Sequence, residues 1–133
     1  MRRVVLCNGT FDPLHYGHLL HLEAARKFGT ELVVALTSDG STRREKGEGR
    51  PLFSQSERAA MLKALRCVDK VVIVDTAEEA LRRVWPNVFV KGSDYSSIQP
   101  GDATVCEELG VEVRFTDTPK WSATKVVDAL RGR

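Results

Sequence analysis

The apolar positions follow two rhythms that take turns along the chain. Arg3 to Cys7 is a short β-branched run that stops at Asn8-Gly9 and reads as a strand. From Gly17 the spacing turns helical: Leu19, Leu22 and Ala25 share one face, and Gly29 closes the segment as a helix stop. Leu32 to Leu36 is apolar at every position, the pattern of a strand covered on both faces. Ser38 to Phe53 is polar, charged and glycine-containing, and reads as a long loop. Ser54 and Glu57 are spaced as a capping box, predicting a helix to about Arg66. Val71 to Val74 is a third strand. Thr76 and Glu79 form a second capping box, for a helix ending near Trp85-Pro86. Val88 to Val90 is a fourth strand, and Ser93 to Gly101 is looser. A helix follows around Thr104 to Leu109, stopped by Gly110. Val111 to Phe115 is a fifth strand, and Ser122 caps a last helix ending near Leu130.

Strands alternate with helices throughout, with no tight hairpin signal. That order predicts an α/β fold: a Rossmann-like, doubly wound, five-stranded parallel sheet with right-handed crossovers. No internal repeat, low-complexity tract or linker interrupts it, so residues 1–133 read as a single domain. That length buries a core without disulfides. The three cysteines, Cys7, Cys67 and Cys106, are odd in number and lack CxxC spacing, and free thiols in a cytoplasmic protein are expected. The 20 basic and 18 acidic residues nearly cancel, which argues against nucleic acid as a partner. No stretch approaches the roughly 20 apolar residues that span a membrane. Met1-Arg2-Arg3 runs into Val4-Val5-Leu6, but the apolar run ends at Asn8, too soon for a signal-peptide core.

In doubly wound sheets ligands bind outside the carboxyl ends of the strands. The segment Gly9-Thr10-Phe11-Asp12-Pro13-Leu14-His15-Tyr16-Gly17-His18 leaves the first strand there. Pro13 suits a turn before the helix. His15 and His18 are three apart, about one helical turn, so both can face one side. Gly17 removes a side chain where a ligand would approach the backbone. The helix N-terminus adds N–H donors and a positive dipole end. Two imidazoles, amides and a dipole converge as a site for a polyphosphate. Zinc is the alternative use of two histidines, but no cysteine or third histidine is suitably spaced for it. His21 continues the series and is expected to be a solvated helix residue. G-x-G-x-x-G is absent, so this is no dinucleotide fingerprint.

The stretch G-T-F-D-x-x-H-x-G-H resembles the nucleotidyltransferase superfamily that includes glycerol-3-phosphate cytidylyltransferase, pantetheine-phosphate adenylyltransferase and the heptose-phosphate adenylyltransferases. The resemblance runs from the first strand to the last helix and implies the nucleotidylyl transferase fold. Ser38 to Pro51 is similar to the S-D-x-S-x-x-x-x-K-G-x-x-R-P segment of the heptose branch, and Val90-Lys91-Gly92-Ser93-Asp94-Tyr95 to its V-K-G-x-D-Y. Ser122-Ala123-Thr124-Lys125 is similar to the family's S-T-T-K, with Ala123 departing from it. Two positions bear on the branch. Asp117 stands where the glycerol branch has arginine, while Arg66-Cys67-Val68-Asp69 resembles that branch's R-Y-V-D.

The resemblance implies transfer of a nucleoside monophosphate from ATP to a heptose 1-phosphate, with release of pyrophosphate. CTP with glycerol 3-phosphate, or another polyol phosphate, is the second reading. A nucleotide-sensing module without turnover is a third. Both reactants are anions and the acceptor phosphate is already a nucleophile, so the protein's task is positioning and charge neutralisation. His15 and His18 are expected on the triphosphate, with His18 nearest the α-phosphate and both rings protonated by the neighbouring phosphates. Lys46 would bridge the two phosphates, and Arg50 would contact the acceptor phosphate. Gly9, Thr10, Phe11, Gly17, Lys91, Gly92, Asp94, Ser122, Ala123 and Thr124 are the expected nucleotide-binding positions. Mg²⁺ would sit on the triphosphate, held by phosphate oxygens and water, with Asp12 the nearest carboxylate through water. A homodimer is implied by the same resemblance.

Overall fold

The computed structural model describes residues 1–92, 98–118 and 123–132. The strands are β1 (Val4–Gly9), β2 (Glu31–Thr37), β3 (Lys70–Val74), β4 (Val88–Lys91) and β5 (Glu112–Phe115). The helices are α1 (Tyr16–Arg26), α2 (Asp39–Lys46), α3 (Gln55–Lys63), α4 (Ala77–Val84), α5 (Pro100–Leu109) and α6 (Ala123–Arg131). Every pairing is parallel, and the order across the sheet is β3-β2-β1-β4-β5. The chain starts in the middle, winds outward through β2 and β3, then crosses back to lay β4 on the other side of β1. The direction of winding reverses between β1 and β4, which opens a crevice at their carboxyl ends.

Alternation along the strands builds a core on each face. Val5, Cys7, Leu32, Val34, Leu36, Val88 and Val90 pack with Leu22 and Ala25 of α1 and Ala59 and Leu62 of α3. Leu6, Val33, Ala35, Val72, Val74 and Phe89 pack with Ala80 and Leu81 of α4 and Val105 and Cys106 of α5. Cys7, Cys67 and Cys106 are free, and Cys7 and Cys106 are buried in these two layers.

Four local expectations change. Within the stretch read as loop, Asp39–Lys46 is a helix whose N-cap Ser38 accepts from the Ser41 N–H at 3.2 Å. Its buried residues are Ser41 and Thr42, and their hydroxyls donate to the Asp75 and Ser38 carbonyls at 2.7 and 2.8 Å. A helix whose inner face is polar has no apolar periodicity to detect. Gly29 does not terminate α1, which ends at the Lys27 cap. A Cβ at Gly29 would stand 2.4 Å from the Arg3 carbonyl oxygen, so glycine there admits the passing backbone of the first strand. Thr76 caps α4 on the Glu79 N–H, but the Glu79 carboxylate takes the Asp75 N–H rather than closing a box. Finally, α5 begins earlier than expected, with Pro100 in its first turn.

Candidate functional site

The turn from β1 into α1 is built around one ring. Phe11 sits at φ 52° with its side chain buried. A Cβ on Gly9 would come within 2.9 Å of that ring, so the glycine makes room for Phe11 to fold back over the strand end. The Phe11 ring meets His18 edge-on, centroids 4.9 Å apart. His15 is the N-cap of α1: its Nδ1 accepts from the Gly17 N–H at 3.1 Å, and His18 Nδ1 accepts from the His15 N–H at 3.2 Å. This is a capping box made of two histidines, and it stacks their rings 3.8 Å apart.

Reciprocal capping settles the tautomers. An Nδ1 that accepts a backbone N–H carries no proton, so each neutral ring carries its proton on Nε2. Burial lowers the His15 pKa, and burial with the neighbouring His15 and His21 rings brings His18 down to about 4. With these causes alone, both rings are neutral at pH 7. A proton on either Nδ1 would break the cap, which leaves Nε2 as the protonated nitrogen of each neutral ring.

Asp12 and Arg50 bind each other. The carboxylate of Asp12 accepts from Arg50 Nε at 2.9 Å, Leu52 N at 2.7 Å and Phe53 N at 2.9 Å, and Arg50 Nη2 reaches the Asp12 carbonyl at 2.7 Å. Their side chains are 0% and 5% exposed. Burial alone would raise the Asp12 pKa, but the two backbone N–H bonds and the Arg50 guanidinium outweigh it and hold the carboxyl below its ordinary value. These bonds engage both oxygens of Asp12 and the Nε and Nη2 donors of Arg50. The pair ties the 50–53 segment to the turn that carries His15. Among the described residues no group of three or more His, Cys, Asp or Glu could hold a metal ion.

Lys46, the last residue of α2, reaches Thr124 Oγ1 in the first turn of α6 at 3.5 Å. Two expected ligand contacts, 78 positions apart, thus meet. Arg131 of the same helix donates to the Gly49 carbonyl at 3.3 Å, holding the segment after Lys46 against α6. Lys91, at the end of β4, crosses the switch point to donate to Asn8 Oδ1 on β1 at 2.9 Å. Burial lowers its pKa, against the pull of Asp102 and Cys7. Thr10 follows the end of β1, and Gly17 is buried in the first turn of α1. Gly92 follows Lys91, and a Cβ there would meet nothing within 4 Å among the described residues. Ala123 begins α6. Asp94 and Ser122 lie outside the described residues.

His21 is not the solvated residue expected. Its Nδ1 lies 2.7 Å from the hydroxyl of the buried Thr116, just beyond β5. Burial, with Lys91 nearby, lowers its pKa to about 4. Asn8, His21, Thr116 and the buried Arg58 are the polar residues at this end of the sheet that sequence reasoning passed over. Only His21 carried a signal, its spacing of three from His18.

A five-stranded parallel sheet with two capping histidines at its switch point defines the nucleotidyltransferase-like α/β fold. The cytidylyltransferase-like family model matches residues 6–127, and the chain belongs to that family. It is 44% identical over 133 residues to the bifunctional protein HldE of Geotalea uraniireducens, covering 98% of this chain and 27% of that one. It is 52% identical over 116 residues to that of Geobacter sulfurreducens, covering 86% and 24%. The chain thus spans about a quarter of the length of these curated relatives. Among solved structures, the lipopolysaccharide core biosynthesis protein of Thermoplasma volcanium matches with a TM-score of 0.75 and 26% identity, covering 92% of this chain and all of that one.

Proposed function

We propose that this chain is a nucleotidyltransferase that transfers AMP from ATP to a heptose 1-phosphate. The observation that carries the transferase reading is the reciprocal His15–His18 cap at the carboxyl end of β1. It supplies two fixed, neutral N–H donors beside a helix N-terminus, the equipment for charge that develops on a phosphate. The acceptor phosphate oxygen bonds to the α-phosphorus as the bond to the bridging oxygen breaks, and pyrophosphate leaves with that electron pair. His18 donates to the α-phosphate and His15 to the neighbouring phosphate. Lys46, held near Thr124 where α2 meets α6, neutralises charge between the two reactants. The described residues do not fit a protein cage for Mg²⁺. The ion belongs to the triphosphate, and no step assigned to the side chains depends on it.

The heptose and ATP assignments rest on the Ser38–Pro51 and Val90–Tyr95 segments and on the likeness to the HldE proteins. A homodimer in the cytoplasm goes with the same reading. No described helix is long and apolar enough to cross a membrane. Turnover of ATP and CTP against heptose 1-phosphate and glycerol 3-phosphate, followed by pyrophosphate release, is the deciding experiment. ATP with the heptose phosphate is expected to lead. A buried polar site left unpaired by the wrong base can discriminate by about 10⁴. Turnover only of CTP with glycerol 3-phosphate would reverse the assignment of base and acceptor.

A further inference from the structure

We propose that Arg58 is a positioning residue for phosphate binding. It aims the Phe11 N–H at the ligand and holds the helix that carries Lys46. Arg58 lies in α3 with its side chain 1% exposed. Its Nε donates to the Phe53 carbonyl at 2.8 Å. Its Nη1 donates to two carbonyls, Thr10 at 2.9 Å and Thr37 at 2.8 Å. Its Nη2 donates to Asp39 Oδ1 at 2.7 Å. The β1–β2 ladder runs to the pair Gly9 and Leu36. One residue further on, the two strands are joined through this single guanidinium. Only the planar fork of arginine reaches four such acceptors, and a lysine ammonium has three donors on one atom.

Two consequences follow from that grip. The Thr10–Phe11 peptide is trans, so with its carbonyl turned to Arg58 its N–H points the opposite way. Among the described residues nothing accepts from the Phe11 N–H. A bulky residue at positive φ needs its surroundings to hold it there. At Phe11 the holders are Arg58 on the preceding carbonyl and the missing Cβ of Gly9. The second consequence runs through α2. Arg58 holds its first residue, Asp39, and its last residue is Lys46, so one buried side chain registers both phosphate-binding elements to the same strand end.

The inference rests on the proposed phosphate site, and its test separates the two. In the full chain, inorganic tripolyphosphate and Mg-ATP are titrated against ¹⁵N-labelled wild type and Arg58→Lys. The Phe11 amide signal should move on binding in wild type and move much less in a folded Arg58→Lys. Kinetically, Arg58→Lys should lose about 10² in kcat, as misplacement of catalytic groups does, with KM for ATP little changed. Asp39→Ala removes the Nη2 acceptor and keeps the three carbonyl bonds. It should leave the Phe11 response intact and lower kcat, with no further loss when combined with Lys46→Ala. A Phe11 amide that ignores both ligands in wild type overturns the proposal. So does a folded Arg58→Lys with wild-type kcat and Phe11 response. If Arg58→Lys does not fold, full activity in Asp39→Ala overturns it. A responsive Phe11 without turnover of any NTP defeats the transferase reading and leaves the Arg58 inference standing.

Discussion

At the amino ends of the strands, Arg2, Lys70 and Arg83 line a cavity of about 710 Å³ together with Glu31 and Trp85. At the carboxyl ends, the charges of Asp12, Arg50 and Arg58 sit inside the protein, beside two neutral histidines. At the amino-end cavity, two of the lining arginines are paired in water. Arg2 meets Glu31 at 3.0 Å with the arginine side chain 74% exposed, and Arg83 meets Glu79 at 3.8 Å. Exposed pairs cost little to form and contribute little. A buried charge must be compensated on every side, so a fold that keeps several of them beside one strand end is spending stability on geometry. The difference teaches that buried, cross-connected polar groups, and not exposed ion pairs, set the carboxyl end apart.

The largest expected effect breaks the carboxyl-end network. Asp12→Ala leaves Arg50 buried without its carboxylate and should cost about 3–5 kcal/mol in denaturant unfolding. A loss below about 1 kcal/mol, the level of an exposed pair, would erase the contrast between the two ends.

Next is His18→Ala. It removes a donor without leaving a buried charge, and should lower kcat by about 10²–10³ in a protein that still folds. Near-normal turnover in the folded variant would remove the capping pair from the chemistry.

Acid titration follows. His18 and His21 ordinarily titrate at 6.5 but stand at about 4 in the fold. As pH falls below 6.5 the unfolded chain takes up protons first. Their contribution is therefore complete above pH 6.5 and drains away until about pH 4, at about 1.4 kcal/mol per histidine per pH unit. His21→Gln should flatten part of the stability slope between pH 6.5 and 5. An unchanged slope would mean that His21 is solvated after all. Asp12 does not enter this window, because its depressed pKa loses stability only below the ordinary 3.8.

The smallest effect belongs to the amino end. Arg83→Ala should change stability by at most about 1 kcal/mol and leave kcat untouched. A kinetic defect there would show that the two ends communicate.

Much of the site was legible along the chain. The strand, the turn and the paired histidines of Gly9 to His18 fall within one local segment, and the capping roles of His15 and His18 are themselves short-range bonds. Lys46 was legible through its segment, although the helix that presents it was not, because Ser41 and Thr42 fill buried positions with polar side chains. Asp12, expected near a metal, and Arg50, expected on a phosphate, have a pairing that the sequence did not show. Each has the chemistry for its expected partner, and the fold brings them to each other first.

By itself the sequence determined the alternation of strands and helices, the parallel class of the sheet, and the placing of two histidines at a helix start. Periodicity and capping act over one or two turns, so spacing is enough to specify them. Tertiary structure decided the sheet order, and with it that β4 rather than β3 lies against β1. It also decided the meetings of Asp12 with Arg50, Lys46 with Thr124, and Arg58 with the ends of both central strands. Those contacts join residues 21 to 78 positions apart. Which distant polar groups find one another depends on how the layers pack, and packing is a property of the whole chain at once.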